Sequence, residues 1–181
     1  MSHLPLVSAE QARGPAASLL AEIHGAFGAT PNMFKAVANS PAALQSMWGA
    51  FKALGQGTLP AQLTEQVAVV VANRNSCHYC LAAHTALGRK VGASAEAMSA
   101  AQVAQSEDPK TLAALGFALA VVEGRGQVQP AHLEALRAAG FSDEAMMELL
   151  AHVALNLFTN YVNVVFDVPL DFPKVALRTA H

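Results

Sequence analysis

The chain has 181 residues, 53% of them hydrophobic and 13% charged, with a formal net charge of −2: enough for one domain with a real core, or for two small lobes sharing one. No run of Lys or Arg occurs, which argues against nucleic acid, because a phosphate backbone needs clustered cations. The opening residues, Met1-Ser2-His3-Leu4-Pro5, carry neither a basic segment nor an apolar one, so no signal peptide is expected and the chain reads as cytoplasmic.

Ala is abundant and period-2 alternation of β-branched residues is absent, so the prediction is helix throughout. A first helix is expected over 16–27, stopped by Gly28 and Pro31. Residues 32–38 read as a short helical turn, and Pro41 opens a helix to Leu54, with Gly55 and Gly57 beyond. Thr58 is expected to cap a helix over 60–72. Its β-branched run, 67–71, suits a strand by propensity, but Gln62, Glu65, Gln66 and Ala72 flank it in helical register. Asn73, Asn75 and Ser76 are cap formers, which places a break there and Ser76 as the N-cap of a new helix from Cys77 to near Lys90. Further helices are expected over 94–105, 109–123, 130–139 and 142–165, the last with a possible break near Thr159-Asn160. Its apolar stretch, 149–166, includes His152, Asn156, Asn160 and Asn163, side chains costly in hydrocarbon, so it reads as a buried helix and not a membrane span. The tail, 169–181, reads as extended over the surface or onto a neighbouring subunit. A shift of 82 residues lays Asn160-Tyr161-Val162 over His78-Tyr79-Cys80, a weak echo compatible with a duplicated unit or with chance.

The two cysteines, Cys77 and Cys80, are separated by two residues. A structural disulfide gains most from closing a long loop, and this pair closes almost none; such a pair is more often redox-active or metal-binding. On a helix starting at Cys77, positions i, i+3 and i+7 share a face, which aligns Cys77, Cys80 and His84. A thiol in the first turn meets the positive end of the helix dipole and unpaired N–H groups, both of which favour the thiolate. Glu65 would lie about 18 Å from Cys77 on one straight helix. A hairpin centred near Asn75 and Ser76 instead brings Glu65 opposite residues 84 to 86, where its carboxylate can hold the His84 imidazole and raise its basicity.

The spacing E-x11-C-x2-C-x3-H, formed by Glu65, Cys77, Cys80 and His84, resembles the signature of the carboxymuconolactone decarboxylase-like and AhpD-like superfamily. Pro31-Asn32-Met33-Phe34, Asn156, Thr159-Asn160-Tyr161 and Asp171-Phe172-Pro173 look like its peroxidase-related branch, so the resemblance covers most of the chain. It implies an all-α helical bundle assembled as a homo-oligomer, a trimer or hexamer. The implied activity is a thiol-dependent alkyl hydroperoxide reductase. Cys80 would attack the peroxide and become a sulfenic acid, Cys77 would condense with it, and Glu65 with His84 would relay the proton. No cofactor is implied beyond an external reductant, a protein or small thiol. Tyr79 stands where some members carry a second histidine, and dipole physics alone favours Cys77 as the more acidic thiol.

Other readings stand beside this one. A lactone- or decarboxylase-type enzyme would not need the dithiol, and a zinc-holding or purely structural oligomer would use the same residues as ligands or packing. His24, His132 and His152 have no spaced partners and read as surface or core residues. His78 points away from the dithiol face and reads as structural or as lining an entrance. Met146 and Met147 suit core or subunit contact. Asn156, Asn160, Tyr161 and Asn163 either cap a break or turn their polar edges to the cleft. The surplus of apolar over charged residues calls for a large core or for subunit association.

Overall fold

A computed structural model describes residues 2–179. Among them are nine helices and no strand: α1 (Pro15–Phe27), α2 (Asn32–Val37), α3 (Pro41–Leu54), α4 (Ala61–Arg74), α5 (His78–Lys90), α6 (Ala95–Ala101), α7 (Pro109–Glu123), α8 (Pro130–Ala138) and α9 (Asp143–Val165). None of these helices is long and apolar enough to cross a membrane.

The hub is α4, which packs against α5, α6, α7 and α9. Its Val67, Val69, Val70 and Val71 are essentially unexposed. A helix apolar on all sides is stable only when surrounded, so tertiary burial overrides the β preference of this run. Serines cap three helices in the expected manner: Ser40, Ser94 and Ser142 accept from the backbone N–H of Ala43, Ala97 and Ala145. An aromatic cluster of Phe27, Phe34, Trp48 and Phe51, with centroids 5.8–6.2 Å apart, joins α1, α2 and α3 beside the site.

Several local expectations are corrected. Thr58 does not cap α4; its N–H and hydroxyl both donate to Glu148 of α9, at 2.8 and 2.9 Å. The helix expected over 94–105 ends at Ala101, and Ala104 takes a positive φ. Ser76 is not the N-cap of α5 but a turn residue with φ 54°; the cap is Cys77, whose sulfur accepts from Cys80 N–H at 3.3 Å. Finally, α9 runs unbroken through Thr159-Asn160. The residue that the 82-residue shift lays over Cys77 therefore lies inside a continuous helix, and no second hairpin repeats the α4–α5 turn.

The tail is extended on its own chain. Asp171 accepts from Asn32 N–H at 2.7 Å, and Arg178 exchanges bonds with Asn73 and donates to Ser99. Of the tail reading for 169–181, Ala180 and His181 lie outside the described residues.

Candidate active site at a buried dithiol

The α4–α5 hairpin assembles the four residues singled out by their spacing. Glu65 on α4 meets His84 on α5, with Oε2 2.7 Å from Nδ1 and both side chains largely buried. That contact leaves Nε2 as the imidazole's free working end, and a carboxylate on the opposite nitrogen fixes the tautomer. Gly88, one turn beyond His84, lies under the Met98 side chain of α6: a Cβ there would press the end of Met98 and come into ordinary contact with Glu65 Cβ at 3.4 Å.

Cys77 and Cys80 are free thiols, 1% and 2% exposed. Their acidities diverge. Cys77 titrates below an ordinary thiol because the Cys80 thiol donates to it, and the N–H groups of Cys80 and Tyr79 at the start of α5 add to this against the cost of burial. Cys80 is pushed well above an ordinary thiol, first by burial and then by its bond to Cys77 and the charge there. The first negative charge on the pair therefore rests on Cys77, as the helix dipole suggested.

Two residues at the sulfur were not separable from bland alternatives in the sequence. Asn163 Nδ2 lies 3.1 Å from Cys80 Sγ and donates to it, while Asn160 also favours the Cys80 thiolate. Asn160 is tied by an Asn75 amide donating to its Oδ1 at 3.0 Å, and both asparagines are buried on the inner face of α9. Asn156 instead donates to the His152 carbonyl. The available signal was three asparagines in an apolar helix, a placement that needs polar partners. His152 was also undervalued. Its Nε2 is buried without a hydrogen-bond partner, and the charges of Glu65 and His84 act on it; burial, ahead of those charges, lowers its basicity. His24 and His132 sit at the surface, bonded to Thr30 and Gln129.

Tyr79 does not serve the sulfurs. Its hydroxyl accepts from Met33 N–H at 3.2 Å and is engaged by Asp171, and its ring meets Phe172 edge-on with centroids 5.7 Å apart. Burial and the Asp171 bond hold it strongly in the protonated form. The tail thereby supplies a wall to a narrow apolar cleft of about 40 Å³, onto which Cys80, His84, Phe51 and Phe172 open. Met146 is half-buried against the core and Met147 is 66% exposed. Among the described residues no three of His, Cys, Asp and Glu are grouped so as to hold a metal ion.

Residues 39–118 match the carboxymuconolactone decarboxylase family. No curated protein matches the sequence. Among solved structures, the alkylhydroperoxidase AhpD core of an uncharacterized peroxidase-related protein from Ralstonia eutropha JMP134 superposes with a TM-score of 0.85 at 25% identity, covering 94% of this chain and 92% of that one. An uncharacterized peroxidase-related protein from Silicibacter sp. TM1040 gives 0.81 at 23% identity, over 97% and 92%. A cysteine-to-alanine form of the debrominase Bmp8, in complex with 2,3,4-tribromopyrrole, gives 0.80 at 21% identity, over 94% of each chain.

Proposed function

The chain belongs to the AhpD-like, carboxymuconolactone decarboxylase-like superfamily, and from that placement we propose that it is a thiol-dependent hydroperoxide reductase. The observation that carries this reading is His84, held from behind by Glu65, opening beside Cys80 onto an apolar cleft. An apolar wall suits the organic part of an alkyl hydroperoxide, and the imidazole supplies the proton transfer that an O–O cleavage needs. Cys80 is the sulfur that the cleft reaches. His84 takes its proton, with Asn163 holding the charge that forms on sulfur.

The Cys80 thiolate then attacks the terminal peroxide oxygen. The O–O bond breaks, sulfur becomes a sulfenic acid, and the alkoxide leaves as the alcohol after taking the proton from His84. The Cys77 thiolate attacks the sulfenic sulfur and expels hydroxide, which leaves as water once protonated. In sum, hydroperoxide and two thiols give alcohol, water and one disulfide, and an external thiol restores the pair.

Titrating free thiols against a stoichiometric alkyl hydroperoxide tests this. The expected result is loss of two thiols per peroxide, slowed a hundred-fold or more in a Glu65→Gln/His84→Ala double variant, the range in which general acid–base catalysis acts. Oxidation equally fast in that variant would sink the relay. Decarboxylase-type activity that survives Cys77→Ser/Cys80→Ser would move the assignment to that branch.

A second reading draws on the aromatic lining, in which Phe27, Phe34, Phe51, Tyr79 and Phe172 surround the approach to Cys80. Such a lining suits a flat halogenated ring, as the debrominase bears on a brominated pyrrole. On this reading of the present chain, aryl bromide and two thiols would give arene, bromide, a proton and the disulfide. Bromide release from a bromopyrrole, with no thiol loss to peroxide, would favour it.

A further inference from the structure

The two sulfurs open on different clefts. Cys80 lines the apolar cleft with His84, and Cys77 does not. Cys77 instead lies at the floor of a second cleft of about 210 Å³, which Cys80 does not reach, formed where the start of α5 meets the end of α9. Ser76, His78, Asn163 and Asp167 line it together with Tyr79, Val164 and Val168, a mixed wall that is more polar than that of the first cleft, with Tyr79 standing between the two. Asn163 spans the partition. Its amide N–H groups serve the Cys80 sulfur and the Thr159 carbonyl, while its Oδ1 is buried with no hydrogen-bond partner although the residue is only 4% exposed. A buried carbonyl oxygen left unpaired is costly unless a ligand donor meets it.

We propose that this second cleft is the docking site of the reductant, a low-molecular-mass thiol with a polar body, which attacks the oxidised pair at Cys77. The proposal rests on the dithiol chemistry above and adds that oxidant and reductant use separate clefts. The incoming thiol gives its proton to His78, exposed at the cleft wall, and its thiolate attacks Cys77 Sγ. The Cys77–Cys80 bond breaks, a mixed disulfide forms on Cys77, and Cys80 leaves as the thiolate. A second thiol then attacks the sulfur of the bound molecule, releasing its disulfide and the Cys77 thiolate, so two thiols are oxidised for each protein disulfide reduced.

Leaving-group acidity alone would direct attack the other way, because Cys77 is the more acidic thiol of the reduced pair. Two facts oppose that. Burial is the first cause that raises Cys80 and it persists, but the bond to Cys77 and the charge there, which add to it, are gone once Cys77 is tied in a mixed disulfide, whereas the Asn163 donor remains. Access also differs: a hydrated thiolate would have to shed its water to enter the aromatic cleft, while the second cleft offers more polar walls. A sulfur 1% exposed at the bottom of a narrow cleft suits a slender molecule over the broad face of a folded redox protein.

The experiment begins with wild-type protein oxidised by diamide, which makes the disulfide whether or not peroxide does, so its outcome is separate from that of the peroxidase assignment. Brief reaction with limiting cysteamine, an acid quench and fragment mass spectrometry locate the adduct. At least a ten-fold excess on Cys77 over Cys80 is expected; an adduct mainly on Cys80 overturns the proposal. Stopped-flow reduction of Val164→Trp, which fills the second cleft, should slow at least ten-fold relative to peroxide oxidation of the same preparation. Leu87→Trp, which fills the first, should show the opposite ratio, and the reverse pattern overturns the two-cleft arrangement. Faster reduction by a thioredoxin-type protein than by cysteamine or glutathione at equal thiol concentration overturns the ligand class.

Discussion

Asn163 donates to Cys80 at 3.1 Å from within a helix whose other inward residues are mostly apolar, and hydrogen bonds to charged groups are worth about 1.5–3 kcal/mol. Asn163→Ala should therefore slow peroxide-dependent thiol loss by about ten- to a hundred-fold, with Cys80 shifted further up in a thiolate absorbance titration; an unchanged titration would remove this role. His152 yields a pH prediction. Its basicity is depressed by burial, so below the ordinary imidazole value of 6.5 the unfolded chain binds a proton that the folded chain resists. Stability contributed by neutral His152 is present above that value and is lost as pH falls through the lower folded value. His152→Gln should flatten the fall in Tm between about pH 7 and pH 5, read by thermal unfolding. At this scale the sequence was informative where spacing carried the information: Glu65, Cys77, Cys80 and His84 lie within one hairpin, and their register fixes their meeting. It left Asn163 open between a cap and a cleft-facing residue and read His152 as a surface or core residue, because their partners lie on helices remote in sequence.

The pairing of α4 with α5 is what turns four residue types into a site. Gly88 sits at their contact, where an added Cβ would reach Glu65 Cβ at 3.4 Å and press the end of the Met98 side chain. Met98 is flexible enough to yield to a methyl group. Gly88→Val, with two more carbons and branching at Cβ, should push the helices apart. Overpacking costs about 1–3 kcal/mol, and the expected signature is a lowered Tm together with slower thiol oxidation. Normal oxidation kinetics in this variant would show that the close approach is not needed. Helix boundaries were legible wherever Pro or Gly marks them, as at Pro41, Pro109 and Gly124. Those that failed turned on contacts from elsewhere. Thr58 looked like a cap but bonds Glu148, and the Thr159-Asn160 pair looked like a break but is held by side chains facing the hairpin.

For the molecule as a whole, the outer face of α9 is unusual. Met147, Tyr161 and Val165 are 66%, 56% and 59% exposed, and Leu150 and Phe158 continue the same stripe at helical spacing. No charged residue interrupts it, so a second copy could cover it without burying charge. Self-association through this face is the expected state, as the apolar composition already suggested. Sedimentation should give an oligomer for wild type and a monomer for Phe158→Glu/Tyr161→Glu; an unchanged mass in the variant would place the contact elsewhere. The all-helical architecture was readable from composition and periodicity. The cleft was not, because it joins α2, α5 and the tail, brought together by the Asn32–Asp171 and Tyr79–Phe172 contacts across most of the chain.

The sulfur of Cys77 is also the structural stop that begins α5, since it accepts the Cys80 N–H. A thiolate is a strong acceptor and a disulfide sulfur a poor one, so on the proposed chemistry each oxidation of the pair would loosen the first turn of that helix and each reduction would retie it. The oxidation state is thus written into the backbone, legible as faster amide exchange at Cys80 in the oxidised protein. The same fraying would free a few bonds just where the proposed incoming thiol needs room, so the oxidised protein would open more easily than the reduced one.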